Sequence, residues 1–395
     1  MRSFLYPLLF LCCAFAFLLS CSKEKKEGSS YPAIQETFGS NINLTLLANY
    51  AAQPRPVYIM KDNSGANPIT NAKATLGRVL FYDKSLSIDN SVSCASCHQQ
   101  SFAFGDPQIA SKGVQGGVTG RHSMRLINTR FGNEQHFFWN ERAQTLEQQT
   151  TQPIQDHAEM GFSGINGRPA FSSLLNKLQN ISYYKELFQF IYGDQQITEI
   201  RLQECLSQFI RSIQSFDSKY DAGRIQVAND GPPFPNFTPQ ENQGKQLFLA
   251  PPQFGPGGIR TGGGAGCAGC HRPPEFDIDP NSRNNGITAT IAGNTRDFGN
   301  TRSPSLRDLT NSGGLPHTPM MHHGGNASLR SVLLHYNQIN REPENNNLDP
   351  RLTPGGNNQQ LQLSEQEINA LIAFLQTLTG NNVYTDKKWS DPFIK

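Results

Sequence analysis

The chain has 395 residues, of which 36 % are hydrophobic, and its formal net charge at pH 7 is +2. This balance is typical of a globular protein, and the near-neutral charge provides no basic field, which excludes nucleic acid as the expected partner. The length is enough for two ordinary domains. The 35 glycines and 25 prolines predict long irregular segments between short helices.

The N-terminus has the features of an export signal. A single Arg and an apolar stretch precede Leu18-Leu19-Ser20-Cys21, and the charged run SKEKKE follows. The pattern predicts a lipoprotein signal peptide over residues 1–21 that ends at a lipidated Cys21, with an uncleaved membrane anchor as the alternative. We therefore expect an exported, periplasmic protein with a lipid anchor to a membrane and a tether with an N-terminal extension over residues 22–65.

Two later regions repeat one order of features. Each has a Gly-x-x-Leu-Phe helix, at Gly77 and at Gly244, followed by a loop and a Cys-x-x-Cys-His cluster. The second of these helices has a proline in its first turn and a Thr/Glu capping box. Near the C-terminus, LSEQEINALIAFLQTL has another capping box and an apolar stripe at helical spacing.

This order is typical of a cytochrome c domain and it occurs twice. We predict a mainly α fold with two cytochrome c-like domains, over residues 66–228 and 229–385, joined by long irregular loops. The boundary falls at NDGPPFPNF, where Gly and Pro interrupt the surrounding patterns.

The two Cys-x-x-Cys-His clusters predict covalent c-type haem, with two thioether bonds and an adjacent proximal histidine in each cluster. The residues concerned are Cys94, Cys97 and His98 in the first, and Cys267, Cys270 and His271 in the second. A zinc site would need further ligands at similar spacing, and a redox dithiol needs no histidine beside it. Cys205, on an apolar helical face, is interpreted as a buried and inert thiol.

Distal ligands decide whether a haem transfers electrons or does chemistry. The loop PHTPMMHHGG supplies candidates for the second iron: His317, Met320, Met321, His322 and His323. A methionine pair in a Gly/Pro loop belongs to no apolar stripe, so a ligand role is favoured over core packing. The first half has no comparable methionine loop, and its available histidines are His122, His136 and His157. The first haem is therefore expected to have an open distal side.

The chain resembles bacterial dihaem cytochrome c peroxidases, of the superfamily that also contains the MauG-type enzymes. The matching segments include LGRVLFYDKSLSIDNSVSCASCHQQSFAFGD, FFWNERAQTLEQQTTQPIQDHAEMGF, TRSPSLRDLT and TPMMHHGG, in order over roughly residues 70–380. The resemblance implies reduction of hydrogen peroxide to water by two haems, with electrons from a small donor such as a cytochrome c. Relatives are often homodimers.

Position by position, the resemblance assigns further roles. Trp139 falls on the tryptophan between the two haems, Gln149 on a peroxide-pocket glutamine and Glu159 on the pocket glutamate. Met321 falls on the axial methionine of the second haem, with Met320 as the alternative. The implied mechanism has Glu159 moving a proton between the peroxide oxygens while Gln149 orients the peroxide.

The chain departs from the family pattern at two positions. Relatives that need reductive activation have a removable distal histidine where this chain has Val114. His122 replaces an asparagine linked to an inter-domain calcium, which leaves calcium open here. Two rival functions remain: a MauG-like oxidase of a partner protein, which usually has a tyrosine ligand that PMMHHG lacks, and an electron carrier with two six-coordinate haems.

Overall fold

Most of the chain can be described from a computed structural model, which covers residues 31–133, 136–278, 280–293 and 295–394. The predicted signal peptide and Cys21 lie outside these residues. Within them, no helix has both the length and the apolar composition that crossing a membrane requires.

The fold is mainly helical, as the sequence predicts. The α-helices of the first half are α1 (Pro32–Phe38), α2 (Asn71–Tyr82), α3 (Cys94–Cys97), α4 (Leu146–Gln155), α5 (Phe171–Gln179), α6 (Ser182–Tyr192) and α7 (Glu199–Ser212). The later α-helices are α8 (Lys219–Arg224), α9 (Pro239–Leu249), α10 (Leu329–Asn337) and α11 (Glu365–Gln376). Two small antiparallel pairs accompany them: β1 (Pro252–Phe254) with β2 (Arg260–Gly263), and β3 (His271–Arg272) with β4 (Asp277–Ile278).

The repeated glycine marks the same helix crossing in both halves. A Cβ atom on Gly77 of α2 would lie 2.0 Å from the Cys205 carbonyl oxygen of α7. A Cβ atom on Gly244 of α9 would lie 1.9 Å from the Ala370 carbonyl oxygen of α11. Only glycine permits such close approach of two backbones. The Gly-x-x-Leu-Phe repeat therefore identifies two equivalent helix pairs, each with a Cys-x-x-Cys-His segment between its members.

The predicted caps of the second pair are present. The Thr238 hydroxyl accepts from the Glu241 backbone N–H at 3.2 Å, and the Glu241 carboxylate accepts from the Thr238 N–H at 2.7 Å. Ser364 and Glu367 make the same reciprocal bonds at the start of α11. Each such cap stabilises its helix by about 1 kcal/mol.

Two hydrophobic cores follow each other along the chain. The first extends as far as Ile213 and includes the fully buried Cys205, and the second begins at Tyr220. The second core begins before the predicted domain boundary at residues 228/229, because Tyr220 on α8 packs against Phe276. Their ring centroids are 4.9 Å apart. Val383, near the end of the predicted second domain, and Trp389, beyond it, pack in the first core. Each core therefore includes a short segment of the other predicted domain: α8 of 66–228 packs in the second core, and Val383 of 229–385 packs in the first.

Candidate functional site

The first cysteine cluster is a single helical turn. Ser93 and Ser96 form a capping box around α3, so Cys94 and Cys97 lie three residues apart on one helical face. Burial raises their pKa to about 12 for Cys94 and about 11 for Cys97. A redox dithiol depends on a thiolate with a lowered pKa. Two thiols on one helical face, with raised pKa values, suit a pair of thioether bonds instead.

His98 is oriented by its own loop. Its Nδ1 lies 3.0 Å from the Phe104 carbonyl oxygen, which can only accept, so Nδ1 donates and Nε2 remains as the free ligand atom. Ala103 and Phe104 have left-handed φ angles of 55° and 58°, a strained conformation that aims this carbonyl at the ring. Burial lowers the pKa of His98, which favours the neutral imidazole that iron binds.

The second cluster is built on a tighter turn. Cys267–Gly269 is a 3-10 helix in which the Cys270 N–H donates to the Cys267 carbonyl at 3.1 Å. His271 follows at the start of β3. Burial lowers the pKa of His271 to about 4, against the opposing effect of the Pro304 carbonyl. His271 is therefore also a neutral imidazole at neutral pH.

A cavity of about 630 Å³ opens beside the second cluster. Cys267, Cys270 and His271 line it, and its apolar wall includes Phe248, Leu249, Leu329, Leu333, Leu371 and Leu375. Of the candidate distal ligands, the lining contains Met320 and Met321, and none of the three loop histidines is among its described members. The volume and the apolar wall are those of a site for a large, mostly apolar cofactor.

The two methionines differ in their surroundings. Met320 belongs to the second hydrophobic core, and its backbone pairs with Asn326. Met321 has a left-handed φ of 67°, and its Sδ lies 4.0 Å from Nδ2 of Asn285. Sequence reasoning did not single out Asn285, because an asparagine in an Asn-rich segment has no distinguishing pattern.

Two arginines also line this cavity: Arg302, which is buried, and Arg125, which is partly buried. Burial lowers the pKa of Arg302 to about 9 and lowers that of Arg125 as well, while Asp308 raises the pKa of Arg125. Guanidinium groups bind carboxylates well, so these two suit the propionates of a haem, and with the apolar wall the residues present fit this cofactor. Neither arginine could be identified from the sequence, since its place at the cavity depends on contacts between distant segments.

Trp139 joins the two halves at the edge of the same cavity. Its indole Nε1 donates to the His122 carbonyl at 2.7 Å, and its own carbonyl accepts from the Arg302 N–H at 2.9 Å. The His122 N–H in turn donates to the His322 carbonyl at 2.8 Å. The indole is thus held between a loop of the first half and the loop that contains Met321.

The three histidines of the first half lie in different surroundings. His122 is buried, bonds the Gln108 carbonyl through Nδ1 at 3.0 Å and lines the second cavity. His136 is exposed, and His157 bonds the Ser163 hydroxyl at 3.0 Å. Val114 is fully buried, and its N–H donates to the Glu159 carbonyl at 3.0 Å.

Glu159 lies close enough to the first cluster for its charge to add to the effect of burial and raise the pKa of both Cys94 and Cys97. Burial, reinforced by Asp156 and opposed by Arg142, raises the pKa of Glu159 to about 7. A carboxyl group with this pKa can both take and return a proton at neutral pH.

Gln149 is half-buried on α4, the helix that precedes the Glu159 loop. The described residues contain no group of three or more His, Cys, Asp or Glu side chains arranged to hold a metal ion. The calcium that the resemblance left open thus has no such cluster assigned to it in this part of the chain.

Comparisons with known proteins agree with this arrangement. The sequence profile described as "Di-haem cytochrome c peroxidase" matches residues 71–226. The chain is 28 % identical to a "Methylamine utilization protein MauG" of Methylophilus methylotrophus, over 86 % of this chain and 94 % of that protein. It is 26 % identical to "Cytochrome-c peroxidase IdrP1" of Denitromonas iodatirespirans, over 79 % and 83 %.

Among solved structures, a MauG-like protein associated with microbial copper homeostasis superposes with a TM-score of 0.65 at 27 % identity, over 86 % of this chain and 99 % of that one. Relatives with both kinds of name thus match at similar identity over most of their length. Together these matches show that residues 71–226 match the di-haem cytochrome c peroxidase family, and that most of the chain is similar to proteins named MauG and cytochrome c peroxidase.

Proposed function

We propose that the protein is a dihaem c-type cytochrome peroxidase that reduces hydrogen peroxide to two waters with two electrons from a small donor such as a cytochrome c. The observation that carries the proposal is Glu159, a carboxyl group of pKa about 7 beside the first cysteine cluster. Its neighbour Val114 has no ligand atom in its side chain, which supports an open distal side on the first haem.

Cys94, Cys97 and His98 would hold the first haem, whose iron supplies the electron exchange that cleaves the O–O bond. The chain's own contribution is proton transfer. Glu159 accepts the proton from one peroxide oxygen and returns it to the other, so that the departing group leaves as water. Gln149, on α4 and ten residues before Glu159 in the sequence, would orient the peroxide.

The second haem would be held by Cys267, Cys270 and His271 with Met321 as the distal ligand. Methionine with histidine raises a haem's potential and suits electron storage. Trp139 lines this cavity and is fixed by bonds to both halves of the chain, which favours it as the electron route between the sites. Arg125 and Arg302 would pair with the propionates.

The proposal also includes the protein's cellular location and its partners. The N-terminal sequence supports export to the periplasm and a lipid anchor at Cys21, and the resemblance supports a homodimer. Neither the charge nor the described surface gives a reason to expect nucleic acid as a partner.

A MauG-like oxidase acting on a partner protein is the second candidate, since relatives of that name match as well. In this chain the loop residues that line the second cavity and have a side-chain ligand atom are Met320 and Met321. Tyr336 also lines the cavity, but it belongs to α10 and not to this loop. The absence of a tyrosine in the PMMHHG loop favours the peroxidase.

Turnover without prior reduction tests the proposed function. Because Val114 cannot block the first iron, we expect the fully oxidised protein, mixed with peroxide and then with a reduced c-type cytochrome, to oxidise the cytochrome without a lag. Pre-reduced protein is the control and should give the same initial rate. A lag that pre-reduction abolishes would refute the open distal side, and no oxidation in either sample would favour an electron carrier.

A further inference from the structure

Asn285 lies in the second cavity with its side-chain amide against Met321. From this contact we propose that Asn285 is a positioning residue, whose N–H donor holds the Met321 thioether in its ligating orientation and raises the reduction potential of the second haem. The proposal rests on the proposed function, in which Met321 is the distal ligand.

The orientation of the Asn285 amide is fixed by a local bond. Its Oδ1 accepts from the Ile287 backbone N–H at 3.0 Å, so this end of the amide must be the oxygen. The other end, Nδ2, therefore faces the Met321 sulfur at 4.0 Å. A thioether sulfur can only accept a hydrogen bond, so the Asn285 amide is the donor and the Met321 sulfur is the acceptor.

The segment that contains Asn285 is rigid. Asn284 is fully buried, and its Nδ2 donates to the carbonyl oxygens of Asp297 and Gly299 at 3.1 and 3.0 Å. The Asn285 carbonyl accepts from Nε2 of His335 on α10 at 2.9 Å. These bonds fix the position of the donor independently of the methionine loop.

The methionine needs such a partner. Its backbone is constrained, because the Met321 carbonyl accepts from the Gly324 N–H at 3.1 Å and the adjoining His322 carbonyl is held by His122. Its side chain, in contrast, has three rotatable bonds and adapts to its surroundings. A fixed donor that bonds one lone pair of the sulfur leaves the other lone pair for the metal.

The same donor has an electrostatic consequence. The positive end of the N–H dipole, close to the ligating sulfur, disfavours the additional positive charge of ferric iron. Loss of a single hydrogen bond sets the scale of the effect at about threefold to tenfold in the redox equilibrium constant.

The test measures the reduction potential of the second haem in the full holoprotein. Asn285→Asp keeps the oxygen that accepts from Ile287 but has no N–H donor, and Asn285→Leu removes both without adding charge. We expect both variants to keep the Met-to-iron charge-transfer band. Asn285→Leu should lower the redox equilibrium constant by about threefold to tenfold, where tenfold is about 59 mV for one electron, and Asn285→Asp, which adds a negative charge, should lower it at least as much. Asn229→Leu, which removes an exposed turn asparagine, should leave the potential unchanged.

The outcomes separate the two levels of the proposal. An unchanged potential in both Asn285 variants, with the band lost in Met321→Ala, would overturn the positioning role and keep the ligand assignment. A band that persists in Met321→Ala would overturn the ligand assignment and the positioning role with it. A lowered potential in Asn285→Leu alone would also count against the donor, because Asn285→Asp lacks it equally.

Discussion

Glu159→Gln is expected to slow the reaction of the protein with peroxide by roughly a hundredfold, the usual cost of losing a general acid–base group. Glutamine has nearly the same shape and can still hydrogen-bond, but it cannot accept the peroxide proton. Stopped-flow mixing of the oxidised protein with peroxide measures the step directly. A variant that reacts at the parent rate would refute the acid–base assignment.

The pH dependence of that step provides an independent check. Glu159 acts first as a base, so the active form is the carboxylate, and the rate should fall as pH decreases through the pKa of about 7. Above that pH the rate should level off. Glu159→Gln should remove this inflection, leaving a slow rate that does not change near pH 7.

Two neighbours should move the inflection in opposite directions. Asp156→Asn removes a negative charge that raises the pKa of Glu159, and its amide oxygen can still accept from the Ala158 and Glu159 N–H groups. Arg142→Gln removes the positive charge that lowers it. We expect a lower inflection pH in the first variant and a higher one in the second. Shifts in the same direction would mean that another group titrates.

Met321→Ala is expected to abolish the Met-to-iron charge-transfer band of the second haem and to lower its potential by on the order of a hundred millivolts, within the range of about 0.8 V that axial ligands control. Optical spectroscopy and potentiometric titration measure the two effects.

Met320→Ala is the matched variant. Met320 is 6 % exposed and packs in the second core, so its truncation should cost about 2–5 kcal/mol of unfolding free energy while the band remains. If the band is lost in Met320→Ala and survives in Met321→Ala, then Met320 is the haem ligand and Met321 is not. Loss in neither variant would show that the ligand comes from elsewhere.

Local sequence patterns predicted the parts of the structure that depend on neighbours in the chain. The capping boxes at Thr238 and Ser364 are present because a cap involves residues three positions apart. The repeated Gly-x-x-Leu-Phe predicted two helices in the same order, whereas the close crossings that each glycine permits, with α7 and with α11, were not predicted. The change of core at Tyr220 was not predicted, since it depends on contact with Phe276, distant in sequence.

In the candidate site, too, local sequence patterns predicted some residues, and others depend on tertiary contacts. The haem-attachment residues could be proposed from spacing alone, whereas Trp139, Gln149 and Glu159 could be proposed only through resemblance. The raised pKa of Glu159 was not predicted, because its burial and the charges of Asp156 and Arg142 act on it only in the folded loop. Arg125, Arg302 and Asn285 face the second cavity through tertiary contacts that no pattern encodes.

The ferric protein's electron paramagnetic resonance spectrum, before and after peroxide and with no reductant added, tests the central claim most directly. We predict one high-spin haem, with Val114 near its open side, and one low-spin haem with a Met/His ligand pair. Peroxide should remove the high-spin signal. Two low-spin signals that peroxide leaves unchanged would contradict the peroxidase and indicate an electron carrier.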